Sequence, residues 1–378
     1  MPEPSLVDDA VTDEPWTLRE IRQQPATLRA TQALLMLERS RIDGFVAPLL
    51  ARPAMRIVLT GAGTSAFIGE SLAPWLAGRL ARPVEAIATT DLVSAPALHL
   101  RRSTPTLLVS FGRSGNSPES IAAMAIADAA LDEVHHLVIT CNAVGQLARR
   151  QGMSTEVVVL PEATHDRGFA MTSSFSAMLL AALSIFSGIA ALDRRVDVIA
   201  NAVADMIDRA DSVVTALAER EFDRVVYLGS GVFKGLAQEA ALKLMELSDG
   251  RVVGAFDTAM GFRHGPKTII NARTLVVVFV ANDALTRRYD LDIITELRAD
   301  GQCGAVLVVS AQAEGAEGLA VVGLEKADDV DLLFPFIVPA QLFGLRMSQA
   351  LGLTPDRPNA SGAVNRVVQG VRIHSVFA

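Results

Sequence analysis

The segment from Arg56 to Phe111 recurs at Arg224 to Phe279 with a constant offset (224 − 56 = 168). Arg56-Ile57-Val58-Leu59-Thr60-Gly61-Ala62-Gly63 aligns with Arg224-Val225-Val226-Tyr227-Leu228-Gly229-Ser230-Gly231, and Thr106-Leu107-Leu108-Val109 with Thr274-Leu275-Val276-Val277. A gapless internal match of this length indicates two copies of one structural unit. Each copy alternates short apolar runs with helical stretches, so the unit is a full α/β sheet rather than a small solenoid repeat. Differences between the copies should mark which half does what.

The apolar runs predict strands at 56–60, 84–88, 106–111, 136–141 and 156–160 in the first copy. Their counterparts fall at 224–228, 252–256, 274–280, 304–310 and 319–323. Half of the residues are hydrophobic and the mean hydropathy is +0.34, which suits parallel strands buried on both faces. The expected fold is therefore α/β, with two doubly wound, flavodoxin-like parallel-sheet domains related by duplication, plus N-terminal helices. Residues 1–15 read as a disordered acidic tail and 16–52 as helices broken at Pro25 and Gly44. The first domain is expected over 53–192, a connecting helix over 193–219 and the second domain over 220–378. Residues 171–219 as a whole read as two long helices, and the stretch after Thr354 as a tail ordered against the body.

A net charge of −8 argues against non-specific nucleic-acid binding, because a polyanion would be repelled. Two cysteines, Cys141 and Cys303, are too few for a disulfide framework, and the six histidines lack H-x-x-x-H spacing, so no metal and no cofactor is expected. The stretch Phe175 to Leu192 is uncharged, but Ser176, Ser184, Ser187 and Gly188 interrupt it. It reads as a buried packing or dimer helix rather than a membrane span. With no basic leader visible, the chain is expected to be cytoplasmic.

In such folds ligands bind at the carboxyl ends of the strands. Gly61-Ala62-Gly63-Thr64-Ser65-Ala66 fits the dinucleotide pattern G-x-G-x-x-A, but the second strand does not close on the acid that would hold a ribose. The loop Ser110-Phe111-Gly112-Arg113-Ser114-Gly115-Asn116-Ser117-Pro118 is more specific. Its hydroxyls, its glycines and the helix it opens form an anion cradle, and Arg113 adds a fork suited to phosphate oxygens. The plain alternative is a helix cap at Ser117 with a solvated arginine. The second copy has Val280-Ala281-Asn282-Asp283 there, so only the first half is built for an anion.

The second copy carries Glu239, Lys243 and Glu246 on one helical face. These could form a solvated pair worth a few tenths of a kcal/mol. The flanking Leu242, Leu244, Met245 and Leu247 instead make the helix apolar all round, which would desolvate a carboxylate toward general-base range. Gly261-Phe262-Arg263-His264-Gly265-Pro266 then places a histidine in a loop. Glu246 and His264 would supply an acid/base pair without metal or nicotinamide.

Together these motifs resemble the sugar isomerase (SIS) domain family, from about Arg56 to the C-terminus. Ala241-Leu242-Lys243-Leu244-Met245-Glu246-Leu247-Ser248 and Arg263-His264-Gly265-Pro266 resemble the isomerase half of glucosamine-6-phosphate synthase. Closer is the resemblance to the galactosamine-6-phosphate deaminase/isomerase family, also called tagatose-6-phosphate ketose/aldose isomerase. It is carried by residues 169–175 (FAMTSSF), 229–247, 261–268 (GFRHGPKT) and 361–370 (SGAVNRVVQG).

The resemblance implies that Ser65, Ser114 and Ser117 hold a 6-phosphate and that Thr64 and Thr172 contact the sugar. Ser173, Lys243, Arg113 and Asn365 complete the implied substrate-binding set. Glu246 would move the proton between C2 and C1, and His264 would open the ring from a neighbouring subunit, which implies a homodimer. In the synthase a glutamine stands where Arg113 is, a serine where Gly112 is, and a Schiff-base lysine where Asn365 is. The expected activity is a metal-independent deaminating isomerase acting on an amino-sugar 6-phosphate, D-galactosamine 6-phosphate first. A plain aldose/ketose isomerase, a glucosamine-6-phosphate deaminase and a non-catalytic sugar-phosphate sensor are the alternatives.

Overall fold

The computed structural model describes residues 14–312, 318–368 and 370–374; the acidic tail expected over 1–15 lies, but for its last two residues, outside them. Two helices, α1 (Trp16–Leu37) and α2 (Arg39–Leu50), precede the first sheet. The breaks expected at Pro25 and Gly44 do not occur, and the helices part at Glu38 instead. Pro25 has no N–H for the carbonyl of Ile21, but Gln24 donates to that carbonyl through Nε2 at 3.1 Å. Gly44 costs about 1 kcal/mol of helix propensity, which does not end a helix whose Ile42, Val46 and Leu49 are buried.

The first copy comprises β1 (Arg56–Thr60), α3 (Thr64–Leu80), β2 (Val84–Ala86), α4 (Thr89–Ser94), α5 (Pro96–His99), β3 (Thr106–Gly112), α6 (Pro118–Ala130), β4 (Val134–Thr140) and β5 (Thr155–Val159). Three helices follow: α7 (Ser173–Ser187), α8 (Ile189–Asp193) and α9 (Val196–Ala218). The expected pair is divided at Gly188, whose φ of +101° stops α7. The second copy comprises β6 (Arg224–Gly229), α10 (Phe233–Leu247), β7 (Val253–Asp257), β8 (Thr274–Val280), α11 (Ala284–Asp300), β9 (Ala305–Ser310), β10 (Gly318–Ala320) and α12 (Asp329–Ala350).

Both sheets are parallel, ordered β2-β1-β3-β4-β5 and β7-β6-β8-β9-β10, so the duplication extends to topology. It extends to register as well: Arg56 pairs with Thr106 as Arg224 pairs with Thr274. The turn after the first strand is duplicated too. A Cβ on Gly61 would lie 2.6 Å from the Ser65 backbone, and one on Gly229 would lie 2.3 Å from the Phe233 carbonyl oxygen. Gly63 and Gly231 both have positive φ, +55° and +59°.

Alternate strand residues face different layers, as the two-residue period requires. Ile57, Leu59, Val225 and Tyr227 join one core shared with α1, α7, α9, α10 and α12. Val58 and Leu108 pack in an outer core with residues of α6, and Val226 and Val276 in a second with residues of α11. The uncharged stretch questioned as a span is not one helix: Gly188 divides it into α7, which is buried apart from Ser187, and the short α8. Among the described residues only α12 is long and apolar enough to cross a membrane, and 94% of its most apolar window is buried inside the protein.

The segment after α12 meets the start of α1. Asp356 accepts hydrogen bonds from Trp16 N (2.7 Å), Thr17 N (2.9 Å) and Thr17 Oγ1 (2.7 Å), so a residue beyond α12 caps the first turn of α1. The tail after Thr354 packs on the body through Asp356 and Arg366, as expected.

Candidate active site

Each sheet changes direction between its first and third strands, and the loops leaving those strands flank a crevice. In the first half these loops carry Thr64, Ser65, Arg113, Ser114 and Ser117. Thr64 and Ser65 open α3 and are buried. Ser114 and Ser117 are half-buried, and Ser117 caps α6, its Oγ accepting from Ser120 N at 3.4 Å. The loop is clamped to its neighbour: Asn142 Nδ2 donates to Ser114 O (2.8 Å) and Gln146 N to Asn116 Oδ1 (3.0 Å). Thr60 ends β1, Ser110 lies two residues before the end of β3, and Thr89 lies three residues past β2. Their hydroxyls are buried without a hydrogen-bond partner among the described residues, as is that of Thr172. Buried polar atoms seldom stay unpaired, so these hydroxyls call for a polar ligand or water.

The second half reaches this crevice through α10, which packs on α3 closely enough that a Cβ on Gly235 would lie 2.4 Å from Ser71 N. Lys243, fully buried, donates to Thr64 Oγ1 at 2.9 Å, lies 3.5 Å from Glu239 Oε1 and forms an ion pair with Glu246. Thr64 Oγ1 in turn donates to Glu239 Oε1 at 3.2 Å. Burial opposes the charge on Lys243, but Glu239 and Glu246 outweigh it and hold the ammonium above its ordinary pKa. Glu239, also fully buried, is pushed up by burial to about 8 despite that ammonium. Of the two acids on this face, Glu246 is the one partly open to solvent.

Arg113 is buried, and its guanidinium points at backbone carbonyls: Phe169 O at 3.3 Å, Gly168 O at 3.5 Å and Arg366 O at 2.7 Å. Burial and the nearby Arg366 lower its pKa to about 10, while Asp166, Glu246 and Glu20 act in the opposite sense, so it stays charged at neutral pH. Ser173 and Thr172 begin α7 on top of Asp166. The Asp166 carboxylate accepts from Thr172 N (2.8 Å) and Ser174 N (2.9 Å) and from the Ser173 hydroxyl. Ser173 Oγ also accepts from Gln23 Nε2 at 2.8 Å, which leaves it tied to the scaffold.

Thr64, Ser65, Arg113, Lys243 and Glu246 thus come together, with Thr172 on the Arg113 side. Asn365 and His264 stand apart. Asn365 is exposed and donates to Gly362 O at 3.1 Å. His264 is exposed just past the carboxyl end of β7, on a loop anchored by Arg263 and Lys267 to Glu296 of α11.

Sequence reasoning missed Glu20 and Asp166. Glu20 lies on α1 and accepts from the backbone of Arg167 and from Gly168 N (3.1 Å), fixing the loop whose carbonyls hold Arg113. Burial and the neighbouring Asp166 push Glu20 up to about 8. The available signal was an acid among the apolar positions of α1, Leu18, Ile21 and Leu28. The signal for Thr60 and Ser110 was a hydroxyl near the end of an otherwise apolar strand.

Comparison with known proteins agrees with this architecture. Residues 50–187 match the family profile of the SIS domain. A Streptomyces coelicolor protein provisionally named D-galactosamine-6-phosphate deaminase AgaS is 50% identical, over 98% of this chain and 97% of its own. The D-galactosamine-6-phosphate deaminase AgaS of Escherichia coli is 43% identical over 95% of each chain. The crystal structure of tagatose-6-phosphate ketose/aldose isomerase from Escherichia coli superposes with a TM-score of 0.88. It is 39% identical, over 98% of this chain and 100% of that one.

Proposed function

From the premise that this chain belongs to the D-galactosamine-6-phosphate deaminase family of SIS-domain proteins, we propose that it is a deaminating isomerase. It converts D-galactosamine 6-phosphate and water to tagatose 6-phosphate and ammonium. The phosphate enters the first-half crevice, where Ser65, Ser114 and Ser117 and the N-termini of α3 and α6 meet its charge. Arg113 contributes positive field from its bracket of carbonyls. Thr64 and Thr172 take sugar hydroxyls, with Lys243 completing the pocket; Ser173 is engaged by Asp166 and Gln23 and Asn365 stands apart, so neither is given a contact.

His264 assists ring opening to the C1 aldehyde. Glu246 removes the C2 proton, which the carbonyl has acidified, and delivers it to C1, while the C2 amine gives up one proton and the C1 oxygen gains one. The product is a C2 imine with a C1 alcohol. Water adds to the imine and expels ammonia, leaving the ketose. No Schiff-base lysine is required, in keeping with Asn365. Acid–base transfer of this kind contributes roughly 10²–10⁴-fold, and anchoring by the phosphate adds orientation.

The observation that carries this reading is the bridge from Thr64 through Lys243 to Glu246, which joins an acid of the second half to the loop of the first. Glu246→Gln is expected to bind the hexosamine phosphate and release no ammonia; unchanged ammonia release would remove Glu246 from the mechanism. Assaying galactosamine and glucosamine 6-phosphates side by side tests the epimer. The isomerase name of the solved relative supports a second reading, simple aldose/ketose interconversion on the same two residues, which would release no ammonia at all.

The exposed position of His264 fits a homodimer in which it serves the partner's crevice. Val253 and Phe256 are 51% and 41% exposed on β7, an edge strand whose free side a second copy could cover. Mixing Glu246→Gln with His264→Ala chains would then restore activity in heterodimers. A cytoplasmic location belongs with this reading.

A further inference from the structure

The second half has the same crevice, between the loops that leave β6 and β8, but a side chain of the protein's own fills it. Asp290 of α11 is fully buried. One carboxylate oxygen accepts from Ser230 Oγ at 2.8 Å, just past β6, and the other from Ala281 N at 3.1 Å, just past β8. A single carboxylate thus bridges the two loops whose first-half counterparts carry Ser65 and Arg113. One turn earlier, Arg287 is buried as well. It donates to Ser310 Oγ (3.2 Å) and to the carbonyls of Ala281 and Gln312 (3.4 Å each), and its Nε is buried without a partner among the described residues.

The two halves differ in a correlated way. Counted from their helix caps, Ser117 and Asp283, Asp290 and Arg287 occupy the places of Met124 and Ile121 in α6. The unpaired hydroxyls of the first crevice, Thr60 and Ser110, are Leu228 and Val278 in the second. One crevice holds unsatisfied hydroxyls and, among the described residues, no carboxylate that bridges its two strand-end loops. The other has exchanged those hydroxyls for apolar groups and acquired an internal carboxylate with a hydroxyl, an amide and a guanidinium around it.

We propose that the second crevice is an anion site closed by the chain itself, with Asp290 standing where an inorganic oxyanion such as phosphate binds once that carboxylate is removed. The closure limits each chain to one sugar phosphate and gives the two halves different duties. Asp329, which accepts from Asn282 N at 2.6 Å, brings a second negative charge close by, so the opened site should bind phosphate weakly, in the millimolar range. The inference borrows the equivalence of the two crevices from the proposed function, but its test needs no turnover.

Asp290→Ala and Asp290→Asn are compared with the parent by thermal unfolding at pH 8, in rising inorganic phosphate at constant ionic strength. The difference from the parent is the readout, so failure of the first-half phosphate site leaves the test intact. Asp290→Ala should gain a saturable additional rise in Tm of about 2–4 °C, while Asp290→Asn, which refills the space, should gain none. If Asp290→Ala is unfolded in buffer, restoration of its near-ultraviolet circular dichroism by phosphate supports the proposal, and no restoration overturns it. It is also overturned by the absence of any extra rise, by an equal rise in Asp290→Asn, or by a rise with formate but not with phosphate. The last result would show only a carboxylate-sized socket.

Discussion

Glu20 gives the sharpest test of how the N-terminal helix supports the site. Its carboxyl is buried beside Asp166 and lies near 8, against 4.5 for the ordinary group. Between pH 4.5 and pH 8 the folded chain therefore holds a proton that the unfolded chain releases, and rising pH removes stability. At 1.36 kcal/mol per pH unit, rounded off near the folded pKa, the loss from this group between pH 6 and pH 8 is about 2 kcal/mol. Glu20→Gln keeps the shape of the neutral form and an oxygen to accept from Arg167 N and Gly168 N, but it cannot ionise. Glu239, Asp290 and Asp331 are also raised and weaken the parent over parts of this range, yet they are common to both proteins and cancel in the comparison. The assay is thermal unfolding at pH 6 and pH 8. Glu20→Gln should lose roughly 2–3 °C less than the parent between the two. Parallel losses would refute the argument and show that Glu20 is ionised throughout.

Three further outcomes are expected. Lys243→Met leaves Glu246, and above about pH 8 also Glu239, without an ammonium, so it should destabilise the fold by about 3–5 kcal/mol in urea unfolding above pH 8 and by less at neutral pH, where Glu239 is protonated. Gly235→Ala forces α10 away from the backbone at Ser71, so it should cost about 1–3 kcal/mol and reduce ammonia release by parting Lys243 from Thr64, measured by calorimetry and a coupled ammonia assay. Asp356→Ala removes the cap of α1 and should cost about 1–2 kcal/mol, with faster amide exchange at Trp16 and Thr17 as the direct readout.

Much of the scaffold was legible because the central strands β1, β3, β6 and β8 are largely apolar runs and the duplication supplied each one twice. Even β2 was found, although it ends at Ala86, two residues short of the expected 88. A desolvated acid was legible in kind from Leu242, Leu244, Met245 and Leu247, but the acid that burial raises is Glu239, whereas Glu246, read as the base, is partly open to solvent. Pro25 misled because propensity does not reveal a side chain that replaces a lost backbone donor. The surroundings of Arg113 were not legible for a different reason. Glu20, Asp166 and Arg366 come from a helix, a loop and a tail far apart in sequence, and no periodic pattern records that they converge.

The capping of α1 by Asp356, together with the carbonyl that Arg366 offers Arg113, makes the segment after α12 a working part of the site. Both sheets and α12 are complete before that segment begins, yet without it the first turn of α1 loses its cap and the bracket around the guanidinium stands open. A chain cut after α12 should therefore keep all ten described strands and lose turnover.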